Sequence, residues 1–399
     1  MRSVITLVTC MFFSQVYGQL LKGKTIGKLP YLQYTMGEDR LGAAKMTYLD
    51  TSVQLVIMDS LKDYYKIQLA QSQLAFIPKS NCELQGVFTN TGIRVAGNSR
   101  VWGDSLYDYV TLSLDARLPY KTTQEIHNNA IVVDVYGVAS NTNWITHLTT
   151  AQTIRQVWQE QISADVLRLH IELNTTTHWG YGVYYNRNQL VIKCKRPPTT
   201  PKQVFIAIDA GHGGSNSGAT GKLTRVLEKD LTLLYAEALQ KELIKMYPNI
   251  CLVRSHDTDV SMIDRTLLLR AVNPTLLISV HFNSSGNDTV KGVSTFYRYP
   301  GFKPLANAII KQVLADTDLK EFGEVGQFNF ALSGPTEYPN ALWEVAFISN
   351  AEDEAKVVNP AYRKKLVVAA AKGVTNYLTN FAVLKNTPNG KQKKSPKKK

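Results

Sequence analysis

The sequence predicts an α/β domain in its C-terminal half, with a mixed, mostly parallel sheet flanked by helices, preceded by two β-rich modules. Short strands of alternating polarity fill residues 25–196, a proline-rich segment follows at 197–202, and continuous apolar strands then alternate with amphipathic helices. The chain of 399 residues is long enough for two or three domains. Its 44% hydrophobic and 19% charged residues exclude wholesale disorder.

Residues 1–18 have the features of a secretory signal peptide. Arg2 lies near the start, an apolar core follows at 4–13, and small or modest side chains stand at 16–18. A core of about ten residues is too short to span a bilayer, which takes about 20. We expect no transmembrane segment later in the chain, and we expect an exported protein that is periplasmic or associated with the cell envelope.

Three cysteines remain beyond this leader: Cys82, Cys194 and Cys251. Export permits one disulfide, between Cys82 and Cys194 or involving Cys251, and the sequence leaves the pairing open. The odd number and the lack of a Cys-x-x-Cys spacing argue against a disulfide framework and against a thiolate metal site.

The formal net charge of +13 does not indicate a nucleic-acid-binding domain, because much of it lies at the chain ends. Seven lysines lie in the last fifteen residues, and with Arg2 removed as well the rest of the chain carries about +5. We expect no nucleic-acid partner. Residues 385–399 are interpreted as a disordered Lys-rich tail, with contact to anionic envelope polymers as the functional alternative.

Residues 25–86 are predicted to form the first β-rich module. Runs rich in β-branched or aromatic residues at 44–48, 53–58, 64–69 and 74–77 are separated by polar turns, which is typical of short strands. The last two runs, followed by Pro78, resemble the final hairpin of bacterial SH3-like domains.

Residues 87–196 are predicted to form a second β domain with an internal duplication. In each half an alternating strand, at 108–114 and at 165–171, is followed by a polar stretch and a short apolar strand, at 130–135 and at 189–193. This region resembles the AMIN module found before cell-wall amidases. It is interpreted either as an envelope-localising, wall-binding domain or as a plain spacer.

Residues 203–380 have the pattern of an α/β domain after the proline-rich linker at 197–202. Helical periodicity is found at 227–243 and again at 361–378. Continuous apolar runs predict strands at 204–208, 251–253, 276–280, 293–297 and 342–348.

Two of these predicted strands lead into a histidine at the edge where open α/β sheets place their sites. His212 follows the run at 204–208, His281 follows the run at 276–280, and Glu228 lies in the first turn of the intervening helix. Taken singly, each is an ordinary turn, strand-end or helix-start residue. Together, two imidazoles and one carboxylate are the ligand set that holds zinc with a fourth position open to water.

Glu344 stands inside the apolar run at 342–348. A carboxylate in such surroundings is costly unless it has a partner. The structural interpretation is a buried ion pair with an arginine. The functional interpretation is a base whose proton affinity is raised by the apolar surroundings and which faces the open position of the metal.

Four blocks, in this order along the chain, resemble the signature blocks of the zinc-dependent N-acetylmuramoyl-L-alanine amidase family of the Amidase_3 type. They are Asp-Ala-Gly-His-Gly-Gly at 209–214, Glu228, Ser-Val-His-Phe-Asn at 279–283 and Trp-Glu-Val-Ala-Phe-Ile-Ser-Asn at 343–350. The likeness covers residues 204–378, nearly half of the chain.

The resemblance implies one Zn²⁺ ion held by His212, Glu228 and His281, with Glu344 as the catalytic acid. It also makes Asp209, Asn283 and Arg265 candidates for supporting the ligands or binding substrate. Asp209 is interpreted either as the acceptor that orients His212 or as an ordinary strand-end turn carboxylate. The segment Asn-Phe-Ala-Leu-Ser at 329–333 departs from the family pattern, which often has an arginine there.

The activity that this family likeness implies is hydrolysis of the amide between N-acetylmuramic acid and L-alanine of the stem peptide. We therefore expect peptidoglycan as substrate, in wall remodelling or daughter-cell separation, and an activator or divisome protein as a partner of the N-terminal modules. Two alternatives stay open: a non-catalytic wall-binding protein on the same fold, and a zinc peptidase that cuts within the stem peptide.

Overall fold

The fold is taken from a computed structural model of the chain, which describes residues 19–37, 44–89, 92 and 94–382. The predicted signal peptide at 1–18 and the Lys-rich tail at 385–399 lie outside these residues. Among the helices of the described ranges, none combines the length and the apolar character needed to cross a membrane.

The first module is an antiparallel sheet in which the four predicted runs are all strands. Its described strands are β1 (Leu21–Thr25), β2 (Tyr31–Gln33), β3 (Lys45–Tyr48), β4 (Gln54–Ser60), β5 (Tyr64–Ala70), β6 (Gln73–Pro78) and β7 (Cys82–Val87). They are ordered β3-β2-β6-β5-β4-β1-β7. Alternate side chains such as Leu55, Ile57 and Ile67 are buried, as a sheet with one covered face requires.

The second module consists of two sheets. Its strands are β8 (Arg94–Gly103), β9 (Tyr107–Leu114), β10 (Tyr120–Glu125), β11 (Ala130–Tyr136), β12 (Val138–Ser140), β13 (Ile145–His147), β14 (Ile154–Ser163), β15 (Val166–Leu173), β16 (Tyr181–Asn186) and β17 (Gln189–Lys195). One sheet is ordered β10-β11-β15-β14 and the other β12-β8-β9-β17-β16, with β13 beside β8. Each predicted half contributes strands to both sheets, because β9 pairs with β17 and β11 pairs with β15.

The C-terminal part is a mixed sheet with helices, as predicted. Its elements are β18 (Phe205–Ala210), α1 (Glu228–Leu243), β19 (Asn249–Leu252), α2 (Met262–Val272), β20 (Leu276–Asn283), β21 (Val293–Phe296), α3 (Lys303–Asp316), β22 (Glu321–Val325), β23 (Asn340–Phe347), α4 (Ala351–Val358) and α5 (Pro360–Phe381). The order is β19-β18-β20-β23-β21-β22. The first four strands of this order are parallel, and β21 is antiparallel to β23.

The two faces of this sheet pack against different groups of side chains. Ile208, Ile278 and Trp343 face the larger core, which includes apolar side chains of α1, α3 and α5. Their sequence neighbours Ala207 and Leu277 face the opposite side, in a smaller cluster with Leu269 of α2 and Tyr338. Side chains at alternate positions of β20 and β23 therefore leave the helix-covered core and point to the second face.

The N-terminal modules pack against the C-terminal domain. The backbone N–H of Tyr181 donates to the carbonyl of Thr336 at 2.7 Å, and the Thr336 hydroxyl donates to the carbonyl of Tyr181 at 2.8 Å. The Arg270 guanidinium lies 5.3 Å from the centroid of the Tyr48 ring. Cys82, Cys194 and Cys251 are free thiols, and the first two are buried.

His178 is a buried histidine at the junction between the second module and the C-terminal domain. Its ring packs against Gly301, where an added Cβ would lie 2.6 Å from His178 Cδ2, and the Gly301 N–H donates to Gln124 Oε1 at 2.8 Å. Burial disfavours the imidazolium and lowers the pKa of His178 to about 4. In the unfolded chain the same imidazole titrates near 6.5.

We expect the protein to lose stability as the pH falls from about 6.5 to about 4. Over this range the His178 imidazole is protonated in the unfolded chain but stays neutral in the folded protein. The expected contribution is at most about 3 kcal/mol. It is measured as the difference in unfolding free energy between urea titrations at pH 7 and pH 4.5. His178→Asn should reduce the difference, and the exposed His127→Asn should not; an unchanged pH dependence in His178→Asn would contradict this assignment.

Candidate metal centre

Two histidines meet at the carboxyl edge of the parallel strands. β18 and β20 pair in parallel with Ala210 opposite Val280, so the residues that follow lie side by side. His281 is the sixth residue of β20, and His212 lies two residues beyond the end of β18. The ring centroids of His212 and His281 are 5.0 Å apart, so the predicted convergence is present.

Glu228 completes this cluster from the start of α1. Its Oε1 lies 3.0 Å from His212 Nε2 and 3.1 Å from His281 Nδ1. Oε1 also accepts the backbone N–H of Phe282 at 3.0 Å, and Oε2 accepts that of Ala219 at 2.8 Å. The three potential ligand atoms all lie within 4.8 Å of one another.

Two glycines leave the room that this cluster needs. A Cβ at Gly211 would lie 2.3–2.6 Å from ring atoms of His281, and a Cβ at Gly218 would lie 2.5 Å from Glu228 Oε2. Gly218 has φ +66° and His212 itself has φ +61°, both in the left-handed region. A non-glycine residue held in this region is uncommon and is often found at functional sites.

The electrostatics of the cluster favour an ionised carboxylate. Burial works against the charged form of Glu228, but hydrogen bonds from His212 and His281 hold the pKa of its carboxyl well below the usual range. Burial likewise opposes protonation of His212, and the adjacent Glu228 outweighs it and raises the pKa of this imidazole. A carboxylate that stays charged beside two imidazoles is prepared to hold a cation.

Two buried arginines fix the turn that carries His212. Arg265 donates to the carbonyl of Ala210 at 2.8 Å and to that of His212 at 2.5 Å. Arg254 donates to the carbonyls of Ala210 at 3.0 Å and Gly211 at 2.9 Å. The predicted site residue Arg265 therefore lies next to the cluster, and its guanidinium contacts the backbone of Ala210 and His212 and the Asp209 carboxylate.

The expectation that Asp209 orients His212 is corrected by the structure. The Asp209 carboxylate accepts from Arg265 Nη1 at 2.5 Å and from the Ser279 hydroxyl at 2.7 Å. It points into the second face of the sheet because it is still part of β18, whereas His212 lies beyond the strand end. Asp209 holds Arg265, and Arg265 in turn holds the backbone of His212.

Asn216, not Asp209, contacts Nδ1 of His212. The sequence analysis did not identify this residue. His212 Nδ1 lies 3.0 Å from Asn216 Oδ1, which also accepts the backbone N–H of Gly218 at 3.2 Å. An amide oxygen can only accept, so this contact favours the His212 tautomer with its proton on Nδ1. With Nδ1 protonated in this way, the proton that Nε2 shares with Glu228 is the one that a metal would replace, which leaves the Nε2 lone pair to the metal.

Glu344 and His281 stand opposite each other on neighbouring parallel strands. Residues in register on adjacent strands point to the same side of the sheet, so the Glu344 carboxylate shares its face with the His281 imidazole. Glu344 is partly exposed, whereas its sequence neighbours Trp343 and Val345 are buried in the larger core. Asn283, at the end of β20, accepts the N–H of Ser284 at 2.8 Å through its amide oxygen.

The donor set fits a zinc ion. Two imidazole nitrogens and one carboxylate oxygen are typical ligands of zinc sites that keep a position open for water or substrate. His212 is half-buried while Glu228 and His281 are buried, so the cluster is reached from solvent on the His212 side. A carboxylate beside such a site can transfer protons during hydrolysis of an amide or ester.

Comparison with known proteins agrees with this chemistry. Residues 206–376 match the model of the Amidase_3 family, N-acetylmuramoyl-L-alanine amidase. The uncharacterized protein YqiI of Bacillus subtilis is 30% identical over 184 residues, which are 45% of this chain and 86% of YqiI. The probable cell wall amidase LytH of Staphylococcus aureus is 28% identical over 213 residues, which are 53% of this chain and 71% of LytH.

One similar solved structure is the catalytic domain of CwlV, an N-acetylmuramoyl-L-alanine amidase from Bacillus (Paenibacillus) polymyxa var. colistinus. It is 31% identical, and the match covers 44% of this chain and 99% of that domain with a TM-score of 0.42. The match to the family model contains His212, Glu228, His281 and Glu344. The chain belongs to the N-acetylmuramoyl-L-alanine amidase family.

Proposed function

We propose that the protein is a peptidoglycan amidase that hydrolyses the bond between N-acetylmuramic acid and the L-alanine of the stem peptide. The observation that carries the proposal is the cluster of His212, Glu228 and His281 within 4.8 Å, on the sheet face that also carries Glu344. Family membership supplies the substrate class, since LytH and CwlV are described as amidases.

We propose that His212 Nε2, Glu228 and His281 Nδ1 hold one zinc ion. Zinc in a site of this type acts as a Lewis acid toward a carbonyl oxygen and lowers the pKa of water. The chain prepares the site through Glu228, whose ionised carboxylate lies between the two imidazoles, and through Asn216, which fixes the tautomer of His212. Arg254 and Arg265 keep the His212 turn in place.

In the proposed reaction Glu344 moves the protons. It accepts a proton from the attacking water while the water oxygen bonds to the amide carbon. It then donates that proton to the nitrogen of L-alanine as the carbon–nitrogen bond breaks, so that no covalent enzyme intermediate is needed. The lactyl carboxylate and the peptide with a free amino group are the products.

We propose that the N-terminal modules, at residues 25–86 and 87–196, are SH3-like and AMIN-like respectively, and that they bring the catalytic domain to the wall or to an activator. The antiparallel sheet of the first and the paired sheets of the second are compatible with this proposal. Export to the periplasm or cell envelope, by the segment at 1–18, belongs to the same proposal.

Replacing a ligand and replacing the proton-transfer group should have different effects. We expect His281→Ala to lose both zinc and hydrolysis of purified peptidoglycan. Glu344→Gln should keep the zinc and lower turnover by about 10²- to 10⁴-fold, because only proton transfer is removed. Zinc is measured by elemental analysis, and turnover by release of soluble peptide.

Glu321→Gln is the matched control, because Glu321 is an exposed glutamate on β22 of the same sheet. It should keep both zinc and turnover. Full activity in Glu344→Gln would contradict the role of Glu344. Mass spectrometry of the products should find peptides that begin with a free L-alanine amine; cuts only within the stem peptide would indicate a peptidase, and no released peptide a wall-binding protein.

Asn216→Ala should weaken zinc binding by about 10- to 100-fold, because the tautomer and orientation of His212 lose their support. Asn216→Asp should retain affinity, since a carboxylate also accepts from Nδ1. The measurement is competition for zinc with a chromophoric chelator. Asn287→Ala is the control, because the Asn287 side chain accepts from Thr289 in its own loop. Equal affinities for all of these variants would refute the role of Asn216.

A further inference from the structure

A cavity of about 310 Å³ lies where all three parts of the protein meet. Asp50 follows the first-module strand β3, Tyr107 and Lys193 lie on the second module, and Arg270 and Tyr338 belong to the C-terminal domain. Tyr338 lies two residues before β23, whereas Glu344 is the fifth of the 8 residues of that strand. Six residues of strand span about 20 Å, so this cavity is separate from the metal centre.

The cavity contains positive charge without a matching acid. Within the described residues, neither Lys193 nor Lys195 has a carboxylate at ion-pair distance. The Lys193 ammonium lies 3.7 Å from the centroid of the Tyr107 ring, and Lys195 Nζ donates to the carbonyl of Pro274 at 2.5 Å. Burial lowers the pKa of both amines, that of Lys195 to about 7. A carboxylate bound beside them would restore the lost stabilisation of the charged form.

The cavity also contains a carboxylate, that of Asp50, on which Arg117 and Arg270 act only from beyond ion-pair distance. Asp50 accepts the backbone N–H of Tyr185, and in the described part of the chain no lysine or arginine forms an ion pair with it. Burial raises the pKa of Asp50. The remaining charged residues, Arg270 and Glu337, are an ion pair at 2.8 Å, so their charges offset each other. Two amines and one carboxylate are therefore left to meet a ligand that bears both signs of charge.

The walls between these charges suit a small organic ligand. Tyr338 lines the cavity, and its buried hydroxyl has no hydrogen-bond partner among the described residues. Buried hydroxyls are nearly always hydrogen-bonded, so a ligand group or water is expected there. The cavity is at the lower end of the usual size range of ligand pockets, which suits a peptide of two or three residues.

We propose that this cavity binds a short peptide with a free α-amino group and carboxylates, the amine toward Asp50 and a carboxylate toward Lys193 and Lys195. The peptide released by the proposed reaction has this chemistry, and only this choice of source rests on the proposed function. A sugar acid such as N-acetylmuramic acid offers a carboxylate but no amine, so it would leave Asp50 unmatched.

The probe is L-alanyl-D-glutamate, titrated into the full protein by isothermal titration calorimetry. We expect saturable binding of one dipeptide per chain, weakened at least tenfold for N-acetyl-L-alanyl-D-glutamate and for N-acetylmuramic acid. Lys193→Met keeps the apolar stem over Tyr107, and Asp50→Asn keeps an acceptor for the Tyr185 N–H. Each variant should weaken dipeptide binding at least tenfold with an unchanged thermal unfolding temperature.

The variant His281→Ala separates this cavity from the metal centre. Dipeptide binding should survive in His281→Ala, which also means that the proposal can stand if the proposed amidase activity fails. Any one of three results would overturn the proposal. The first is no saturable binding of the dipeptide, and the second is equal binding of the N-acetylated dipeptide or of N-acetylmuramic acid. The third is dipeptide binding that is lost in His281→Ala but kept in both cavity variants.

Discussion

The placement of one carboxylate between two imidazoles is the constraint on which the candidate site depends. Glu228 Oε1 lies 3.0 and 3.1 Å from nitrogens of His212 and His281, which come from two different strands. Its position at the start of α1 is favourable for a negative charge, because the helix dipole presents its positive end there. The backbone N–H groups of Ala219 and Phe282 hold both carboxylate oxygens, so the side chain has little freedom to turn away.

The alternation of side chains along a strand explains the position of Glu344. Alternation along β23 directs Trp343 and Val345 into the helix-covered core, and it directs Glu344 to the face that carries His281. The carboxylate inside an apolar run is thus not buried in the larger core. The second face is also where Asp209 and Arg265 form the buried pair that supports the His212 turn, so the proposed catalytic group and its supporting groups occupy one layer.

Much of the fold and of the site could be predicted from the sequence because the signals are local. Apolar runs mark the strands β18, β20 and β23. A histidine follows each of the first two runs, and the third contains Glu344, a charged residue that is unusual inside an apolar strand. Helix α2 had no such signal, since Ile263 and Leu268 are exposed and its apolar residues therefore do not outline one buried face. Asn216 could not be found either, because only the folded loop returns it to His212.

The error over Asp209 has a physical reason of the same kind. Asp209 and His212 are close in the chain, but the strand ends between them and the backbone of His212 turns into the left-handed region. Sequence proximity therefore did not translate into contact. The interdomain cavity was also beyond sequence reasoning, because it depends on how the three parts of the chain meet around Arg270 and Glu337.

The most direct test of the account is anomalous diffraction from crystals of the purified protein, recorded on both sides of the zinc absorption edge. We expect one anomalous peak per chain, about 2 Å from His212 Nε2, Glu228 and His281 Nδ1. Crystals of zinc-loaded protein with no peak at these three side chains, or with the peak elsewhere in the molecule, would contradict it.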